Sequence, residues 1–231
     1  MPTTLPAPTT LPALADRLIR GRRATRAFLP DPLPGETLEA VFTLAGAAPS
    51  NSNAQPWQVE VVSGAAKDRL AAALVAAHAA GHRSVDFPYS HDVYSPVHLR
   101  RRAEAGAALY GALGIGREAE ARRAEYDERS LRFYEAPHVA LLFAPDSGDP
   151  RLTADVGMYA QTLLLAMEAH GVASCPQALL SFYADVVRET LGVTGGKLLF
   201  GVAFGHADPE APVNAVSVGR APLGETTRFH R

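Results

Sequence analysis

The order of apolar and polar positions along the chain predicts helices that alternate with a few short strands. Residues 138–143 (HVALLF) form an almost uninterrupted apolar run between Pro137 and Pro145, a pattern typical of a strand buried on both faces. Residues 57–62 are rich in valine and predict another strand, and residues 197–204 (KLLFGVAF) predict the last core strand. We therefore expect strands and helices to share one core.

Helical periodicity and stop signals predict six main helices. The segment 153–170 is apolar almost all round and ends at Gly171, so we expect it at the centre of the structure or in an interface. The segment 117–134 instead carries charges at helical spacings that favour exposure. The predicted helices cover residues 11–23, 34–47, 65–80, 97–113, 117–134 and 153–170, and a short strand and helix are expected before residue 197.

Three segments lack periodicity. Residues 1–10 contain Pro and Thr without a basic start and an apolar core, so they predict a flexible tail and not a secretory signal. Residues 81–96 predict an irregular excursion. Residues 206–231 hold Pro209, Pro212 and Pro222, and a tail of this length without structure of its own is unusual in a compact domain. We expect this tail to lie across a partner subunit, and residues 11–231 to form a single domain.

Composition narrows the classes of protein. Hydrophobic residues make up 47% and charged residues 20% of the 231 positions, which is ordinary for a globular protein. The net charge of −2 argues against nucleic acid or a membrane as a partner, and no apolar run is long enough to span a bilayer. The single cysteine, Cys175, excludes an intrachain disulfide and favours the cytoplasm. The near absence of lysine among the basic residues suggests a GC-rich bacterial genome.

Several familiar catalytic motifs are absent or incomplete. The glycines of YGALGIG follow a helical stretch and predict a helix-ending turn, not a dinucleotide fingerprint, and Gly195-Gly196-Lys197 predicts a tight turn into a strand. His78 and His82 are four residues apart but have no third metal ligand nearby, so we expect no metal site. Without a GxSxG elbow or a base beside Cys175, a nucleophilic hydrolase is disfavoured.

Two segments carry candidate binding chemistry. In RRATRAF the guanidiniums of Arg22, Arg23 and Arg26 form a cluster that suits a phosphate group, because guanidinium is a rigid fork that stays charged. The alternative is a solvated helix face. The loop PSNSNAQPW offers hydroxyls, amides and backbone N–H groups between a helix and a strand, and its alternative is a capped turn with a core tryptophan. Each segment alone favours the simple interpretation, whereas the two together favour a binding site.

Together these segments resemble the FMN site of the nitroreductase family, and the resemblance extends over nearly the whole chain. It points to the nitrobenzoate-reductase-like branch. The further segments that match, in the family's order, are LYGALGI (109–115), the helix with Asp155, Gly157 and Gln161, CPQA (175–178), GHADPEAPVN (205–214) and RAPLGE (220–225).

The resemblance implies an α+β fold with a mostly antiparallel central sheet flanked by helices, in an intertwined homodimer with exchanged C-terminal tails. Two FMN molecules would lie at the subunit interface, under a helical excursion at about residues 81–134. The implied FMN contacts are Arg22, Arg23, Ala24, Arg26 and Arg220 around the phosphate and the pyrimidine edge, Pro49, Ser50, Asn51 and Asn53 from the opposite subunit, and Pro176, Gln177, Ala178 and Leu179 along the ring. Ala24 replaces a common serine and Val218 a lysine found in some members, which predicts weaker FMN binding.

The implied reaction uses NADH or NADPH in a ping-pong mechanism to reduce a nitroaromatic or quinone acceptor. The flavin carries the chemistry, so no catalytic side chain is required. Phe133 and Tyr134 are candidate acceptor contacts, although core packing is their default interpretation. The alternatives are another reaction on the same flavin fold (reductive dehalogenation or dehydrogenation of a metabolite), a flavin-binding protein without turnover, and a flavin-free domain.

Overall fold

The computed structural model describes residues 10–231, so nearly all of the predicted N-terminal tail lies outside the described residues. The long and short helices of this part of the chain are α1 (Leu11–Gly21), α2 (Gly35–Ala45), α3 (Gly64–Ala79), α4 (Pro96–Ala112), α5 (Glu120–Leu131), α6 (Pro150–Ala169), α7 (Ala184–Leu191) and α8 (Leu223–Thr226). The strands are β1 (Gln58–Ser63), β2 (His138–Ala144), β3 (Ala173–Gln177) and β4 (Lys197–Gly205). No helix in residues 10–231 is both long and apolar enough to cross a membrane.

The four strands form one sheet in the order β1-β2-β4-β3, and all three pairings are antiparallel. Strand β3 is therefore at an edge. The apolar runs at 138–143 and 197–204, both predicted to be core strands, are confirmed as strands β2 and β4, the two inner strands of the sheet. The α+β fold with an antiparallel central sheet is confirmed as well.

The alternation of side chains along β2 divides the core into two layers. Val139, Leu141 and Phe143 face one layer, which includes buried residues of α3, α5 and α7. Ala140 and Leu142 face the other, which is filled mainly from α2 and α6. Because both faces of the sheet are covered by helices, the central strand is buried at every position, and it is apolar from Val139 to Ala144, as the nearly uninterrupted apolar run predicted.

Two helices, α5 and α6, differ from the sequence prediction by three residues at one or both ends. Helix α6 begins at Pro150 and not at residue 153, since the Asp149 carboxylate accepts a hydrogen bond from the Arg151 N–H and caps the first turn. Helix α5 begins at Glu120 and not at residue 117, and it ends at Leu131 instead of continuing to Tyr134. Phe133, Tyr134 and Glu135 all have positive φ angles, which stops the helix.

The C-terminal segment is less irregular than expected. A 3-10 turn covers Pro212–Ala215, and α8 follows at Leu223–Thr226. Glu225 of α8 forms an ion pair with Arg101 of α4, at 2.7 Å between carboxylate and guanidinium. The tail of the single chain therefore has short helical turns and lies along α4.

The irregular excursion after α3 is anchored to the 3-10 helix that follows β3 and to α7. The Ser84 N–H donates to the Phe182 carbonyl oxygen at 2.9 Å, and the Ser84 carbonyl accepts from the Ala184 N–H. Asp86 pairs with Arg188 of α7 at 2.7 Å. These contacts fix the start of the excursion beside the 3-10 helix Ala178–Phe182, which directly follows β3.

Candidate functional site

The arginine-rich segment after α1 is attached to the edge of the sheet. The Thr25 N–H donates to the Ser174 carbonyl oxygen at 2.9 Å, and Ala24 forms a parallel bridge with the same residue of β3. Three residues later, Phe28 forms an antiparallel bridge with Ala207. The segment thus lies between β3 and the beginning of the C-terminal tail.

Asn214 fixes the backbone of this segment further. Its side-chain oxygen accepts from the Arg26 N–H at 2.8 Å, and its amide group donates to the carbonyl oxygens of Ala27 and Asp208, both at 2.9 Å. All three contacts are to backbone groups, so they set the path of the chain without using the arginine side chains. Asn214 lies in a segment that matched the family, but the sequence alone predicts no role for it.

A cavity of about 790 Å³ opens beside this segment, and its wall is strongly basic. Its lining includes Arg22, Arg23, Arg26 and Arg220, four of the residues expected around a phosphate. Its remaining lining residues are Asp16, Ile19, Arg20, Ala24, Ala105, Val216, Ser217 and Val218.

The positive charge of this cavity is largely unbalanced. Arg20 pairs with Asp16 at 2.6 Å, whereas Arg22, Arg23, Arg26 and Arg220 make no ion pair with any residue of the described range 10–231. Arg220 donates only to the carbonyl oxygens of its own loop, Val218 and Gly219. Four clustered guanidiniums without a carboxylate partner favour an anionic ligand over the solvated helix face.

A second, smaller cavity of about 260 Å³ adjoins the first and shares Arg26 with it. Its wall includes the strip Pro176, Gln177, Ala178 and Leu179 that was predicted to lie along a flat ring. Because Ala178–Phe182 is a 3-10 helix, its first backbone N–H groups have no partner within the helix. The other lining residues are Leu109, Tyr126, Asp127, Ser130, Tyr134 and Cys175.

The wall of the second cavity is polar but incompletely bonded. The Gln177 amide donates to the Ser130 carbonyl oxygen at 2.7 Å and to the Ser130 hydroxyl at 3.0 Å. The Gln177 Oε1 and the Tyr126 hydroxyl are buried and have no hydrogen-bond partner among the described residues. Buried polar atoms without a partner are rare and costly, so these two favour this place as a binding site for a polar ligand.

Cys175 is an inert part of the same wall. Its side chain is buried, and burial raises the pKa of the thiol to about 11 against the opposing influence of Arg26 and Arg22. The thiol therefore stays protonated at neutral pH and is no nucleophile. No cluster of His, Cys, Asp or Glu able to hold a metal ion is found between residues 10 and 231, and His78 instead hydrogen-bonds the Tyr183 hydroxyl at 2.6 Å.

The structure separates the two aromatic residues that were candidates for the acceptor. Tyr134 lines the second cavity, whereas the Phe133 side chain is completely buried in the core layer that includes α3 and α5. The two neighbours differ because positive φ angles at both residues form a tight turn after α5. Phe133 is therefore a core packing residue in this chain. This corrects its assignment as a candidate acceptor contact and agrees with the alternative interpretation as a core residue.

The loop that contains Pro49, Ser50, Asn51 and Asn53 lies outside the lining of both cavities. Its backbone is well fixed, because the buried Asp155 carboxylate of α6 accepts from the Asn51 N–H at 3.1 Å and the Ser50 hydroxyl accepts from the Gln55 N–H at 2.9 Å. The Asn51 and Asn53 side chains are exposed. The loop is thus preorganised, but its exposed amides do not line the chain's own site.

Helix α5 adds residues that the sequence did not predict. Tyr126, Asp127 and Ser130 line the second cavity, although the charges of this helix at helical spacing suggested a solvated element. A tyrosine and a serine among the charges, four residues apart on one helical face, were the available signal.

The fold and the two joined cavities define an α+β protein with a partly basic, elongated candidate binding site at the edge of its sheet. The family model described as "Nitroreductase family" matches residues 19–206. The chain is 60% identical over its full length to nitroreductase NfnB of Mycolicibacterium smegmatis, of which 99% is covered. It is 32% identical to 4-nitrobenzoate reductase of Pseudomonas putida, over 93% of this chain and 94% of the relative.

A solved structure agrees with these matches. The crystal structure of the FMN-dependent nitroreductase NfnB from Mycobacterium smegmatis in complex with NADPH superposes with a TM-score of 0.95 at 61% identity, covering 96% of this chain and all of the other. The chain therefore belongs to the nitroreductase family, and the resemblance drawn from its motifs is confirmed.

Proposed function

We propose that this protein is an FMN-dependent oxidoreductase that uses NADPH or NADH, in a ping-pong mechanism, to reduce nitroaromatic or quinone-type acceptors. The observation that carries the proposal is that Arg26 joins a strongly basic cavity to a smaller polar one. FMN has the same division, with a phosphate at one end and a flat ring with a hydrogen-bonding edge at the other. The similarity to an FMN-dependent enzyme solved with NADPH supports the cofactor and the reductant.

The residues present fit FMN. Arg22, Arg23 and Arg220 would hold the phosphate, which supplies the negative charge that the basic cavity lacks. The unpartnered Gln177 Oε1 and Tyr126 hydroxyl offer one acceptor and one donor to the edge of a ring in the smaller cavity. Ala24 and Val218 also line the basic cavity, so the missing serine and lysine would remove two contacts at the phosphate end.

When bound, FMN would supply the two-electron redox chemistry that no side chain of this site provides. Arg26 holds a positive charge between the two cavities and would stabilise negative charge on the reduced ring. The free N–H groups at the start of the 3-10 helix Ala178–Phe182 would orient the ring, and the buried, protonated Cys175 limits water at the cavity wall. Tyr134 remains the candidate contact for the acceptor.

Absorbance spectroscopy tests this function directly. The purified protein should be yellow or become so with added FMN, and anaerobic addition of NADPH or NADH should bleach the flavin band. Subsequent addition of 4-nitrobenzoate or a quinone should reoxidise the flavin and restore its absorbance band. A colourless protein that takes up no FMN would favour a flavin-free domain, and bound FMN that neither nicotinamide bleaches would favour a flavin-binding protein without turnover.

The active unit is proposed to be a homodimer in which the loop with Ser50, Asn51 and Asn53 completes the partner's site. The loop is absent from the linings of the chain's own two site cavities, its backbone is fixed and its Asn51 and Asn53 side chains are exposed, which supports this. Helix α1 adds support: it has no buried residue, and Leu11 and Ile19 are 79% and 58% exposed. An isolated helix of eleven residues is marginal in water, so we expect a second subunit to cover it. Exchange of the C-terminal tails, with the tail of one subunit wrapping the other, belongs to the same proposal.

Coexpression of two differently tagged variants tests the shared site. Arg22→Ala damages the phosphate end, and Asn53→Ala damages the loop from the other subunit. In a heterodimer of the two, one site would carry both changes and the other neither, so about half of the heterodimer sites should bind FMN normally. If each chain has a complete site of its own, both sites of the heterodimer stay impaired, and the proposal of a shared site is wrong.

The acceptor class is proposed as nitroaromatic because a 4-nitrobenzoate reductase is among the relatives. Steady-state assays with 4-nitrobenzoate, a quinone and a halogenated phenol distinguish it from reductive dehalogenation. A cytoplasmic location stays a prediction from the sequence, supported by the single cysteine.

A further inference from the structure

Asp127 brings a carboxyl group into the smaller cavity. It lies on α5 and lines this cavity together with Arg26 and the strip 176–179. Neither the arginine segment nor the strip explains an acidic residue here, because an anionic ligand would be repelled by it. Its position therefore requires a separate account.

The Asp127 carboxyl group is partly buried and has no close partner. It makes no hydrogen bond or ion pair with another residue in the described part of the chain. Burial raises its pKa above the usual value, and the more distant basic side chains of His78, Arg83 and Arg123 oppose that rise. Solvent screening is weaker at such a partly buried position than at the surface, so the carboxylate acts on its neighbours more strongly than a fully exposed acid would.

We propose that Asp127 lowers the reduction potential of bound FMN by placing a negative charge in the smaller cavity, where the flavin ring would lie. This inference rests on the proposed FMN binding. The oxidised ring is neutral, whereas the two-electron-reduced ring is anionic at neutral pH. A carboxylate in the same cavity destabilises only the reduced form, and Arg26 has the opposite effect. Together, Asp127 and Arg26 would place the reduction potential of bound FMN between that of the nicotinamide donor and that of the acceptor.

The test replaces Asp127 with a neutral residue of the same shape. Asp127→Asn should leave the dissociation constant for oxidised FMN within about twofold, while reduced FMN should bind about tenfold more tightly. The midpoint potential should then rise by about 30 mV, since a tenfold change in a two-electron equilibrium corresponds to that shift. Fluorescence quenching gives the first constant, and anaerobic equilibration with a reference dye at about pH 8, where the carboxyl is ionised, gives the potential.

Matched variants separate charge from structure. Glu125→Gln removes the same charge from an exposed position of α5 that does not line the cavity, and Asp127→Glu keeps the charge. Both should keep the wild-type potential. A merely structural role of Asp127 would weaken the binding of oxidised and reduced FMN together.

The outcomes distinguish this inference from the proposed function. If the wild-type protein takes up no FMN, the proposed function itself fails. If it binds FMN but Asp127→Asn keeps the wild-type potential, or Glu125→Gln raises it equally, this inference alone is overturned. Asp127→Ser removes the charge in a smaller side chain and decides the question by the same criterion if Asp127→Asn does not fold.

Discussion

Replacing Arg188 tests how the excursion after α3 is held beside the site. Its guanidinium forms two hydrogen bonds with Asp86, at 2.7 and 2.9 Å, and also donates to the Gly196 carbonyl oxygen at 3.1 Å. Burial alone would raise the pKa of Asp86, but hydrogen bonds from Arg188 and from the Leu198 N–H outweigh it and keep the pKa below its usual value. The two side chains are 21% and 14% exposed, so the pair is neither fully buried nor at the surface.

The loss in free energy of unfolding expected for Arg188→Met lies between the values typical of surface ion pairs and of buried ion pairs. Surface pairs contribute about 0–1 kcal/mol, and removal of one partner of a buried pair costs about 3–5 kcal/mol. We expect about 2 kcal/mol for Arg188→Met, because Asp86 keeps the Leu198 N–H as a donor but loses its counter-charge. For a domain of this size the loss corresponds to about 4–8 °C in Tm.

A double-mutant cycle isolates the pair. Urea unfolding is measured for Arg188→Met, Asp86→Asn and the double variant, at one protein concentration and without added FMN. The double variant should lose about 1 kcal/mol less than the sum of the single variants, since the partly buried Asp86 charge is no longer left without its partner. Asp185, which also pairs with Arg188, loses its partner in both Arg188 variants and is mostly exposed, so it adds little to the difference. Strict additivity of the two losses would show that the ion pair does not couple the excursion to α7, and the reasoning would be refuted.

Three further predictions concern charge and protonation. Arg22→Ala should weaken FMN binding about 10- to 100-fold in a fluorescence titration, because charge-assisted hydrogen bonds of about 1.5–3 kcal/mol are lost. The control is Arg17→Ala, an exposed change on the preceding helix α1 that lies outside the cavity lining, and an equal loss there would contradict the phosphate site. Burial lowers the pKa of His138, whose Nε2 accepts from the Leu33 N–H at 2.9 Å. The unfolded chain then binds a proton first, so the free energy of unfolding should fall as the pH drops below about 6.5, by at most about 1.4 kcal/mol per pH unit. His138→Gln should flatten this slope in urea unfolding between about pH 5 and 7, and an unchanged slope would refute the assignment. Because the Cys175 pKa is raised to about 11, its thiol should react with Ellman's reagent only after denaturation, and rapid labelling of the folded protein would contradict this.

The sequence predicted best what is decided by long apolar runs. Strand β2 is buried at every position and apolar after His138 because helices cover both faces of the sheet, and this apolar run is visible without tertiary information. The end of α5 was missed, since the positive φ angles at Phe133, Tyr134 and Glu135 occur without a glycine or asparagine to signal them. The start of α6 was missed although its signal was present: Asp149 followed by Pro150 is a capping residue before a first-turn proline.

The site was predictable where its chemistry is local in sequence. Three arginines within five residues indicate a phosphate group, and the structure adds Arg220 to the same cavity, as the resemblance implied. Asp127 and Tyr126 could not be found this way, because a charged helix gives no sign of which side faces a cavity until its neighbours are placed. The buried orphan atoms of Tyr126 and Gln177 are a property of packing and not of any motif.

The arginine segment has almost no regular structure of its own, and this links ligand binding to the tail. Between α1 and α2 it is held by isolated bridges to Ser174 and Ala207 and by the side chain of Asn214. The contacts to Ala207 and Asn214 come from residues that begin the C-terminal segment, which also carries Arg220. A ligand that binds Arg22 and Arg220 together therefore stabilises the docked tail by the same free energy with which the docked tail favours the ligand. Arg26 belongs to this segment and also lines the smaller cavity. Docking of the tail therefore also affects Arg26 at the place where the chemistry is proposed to occur.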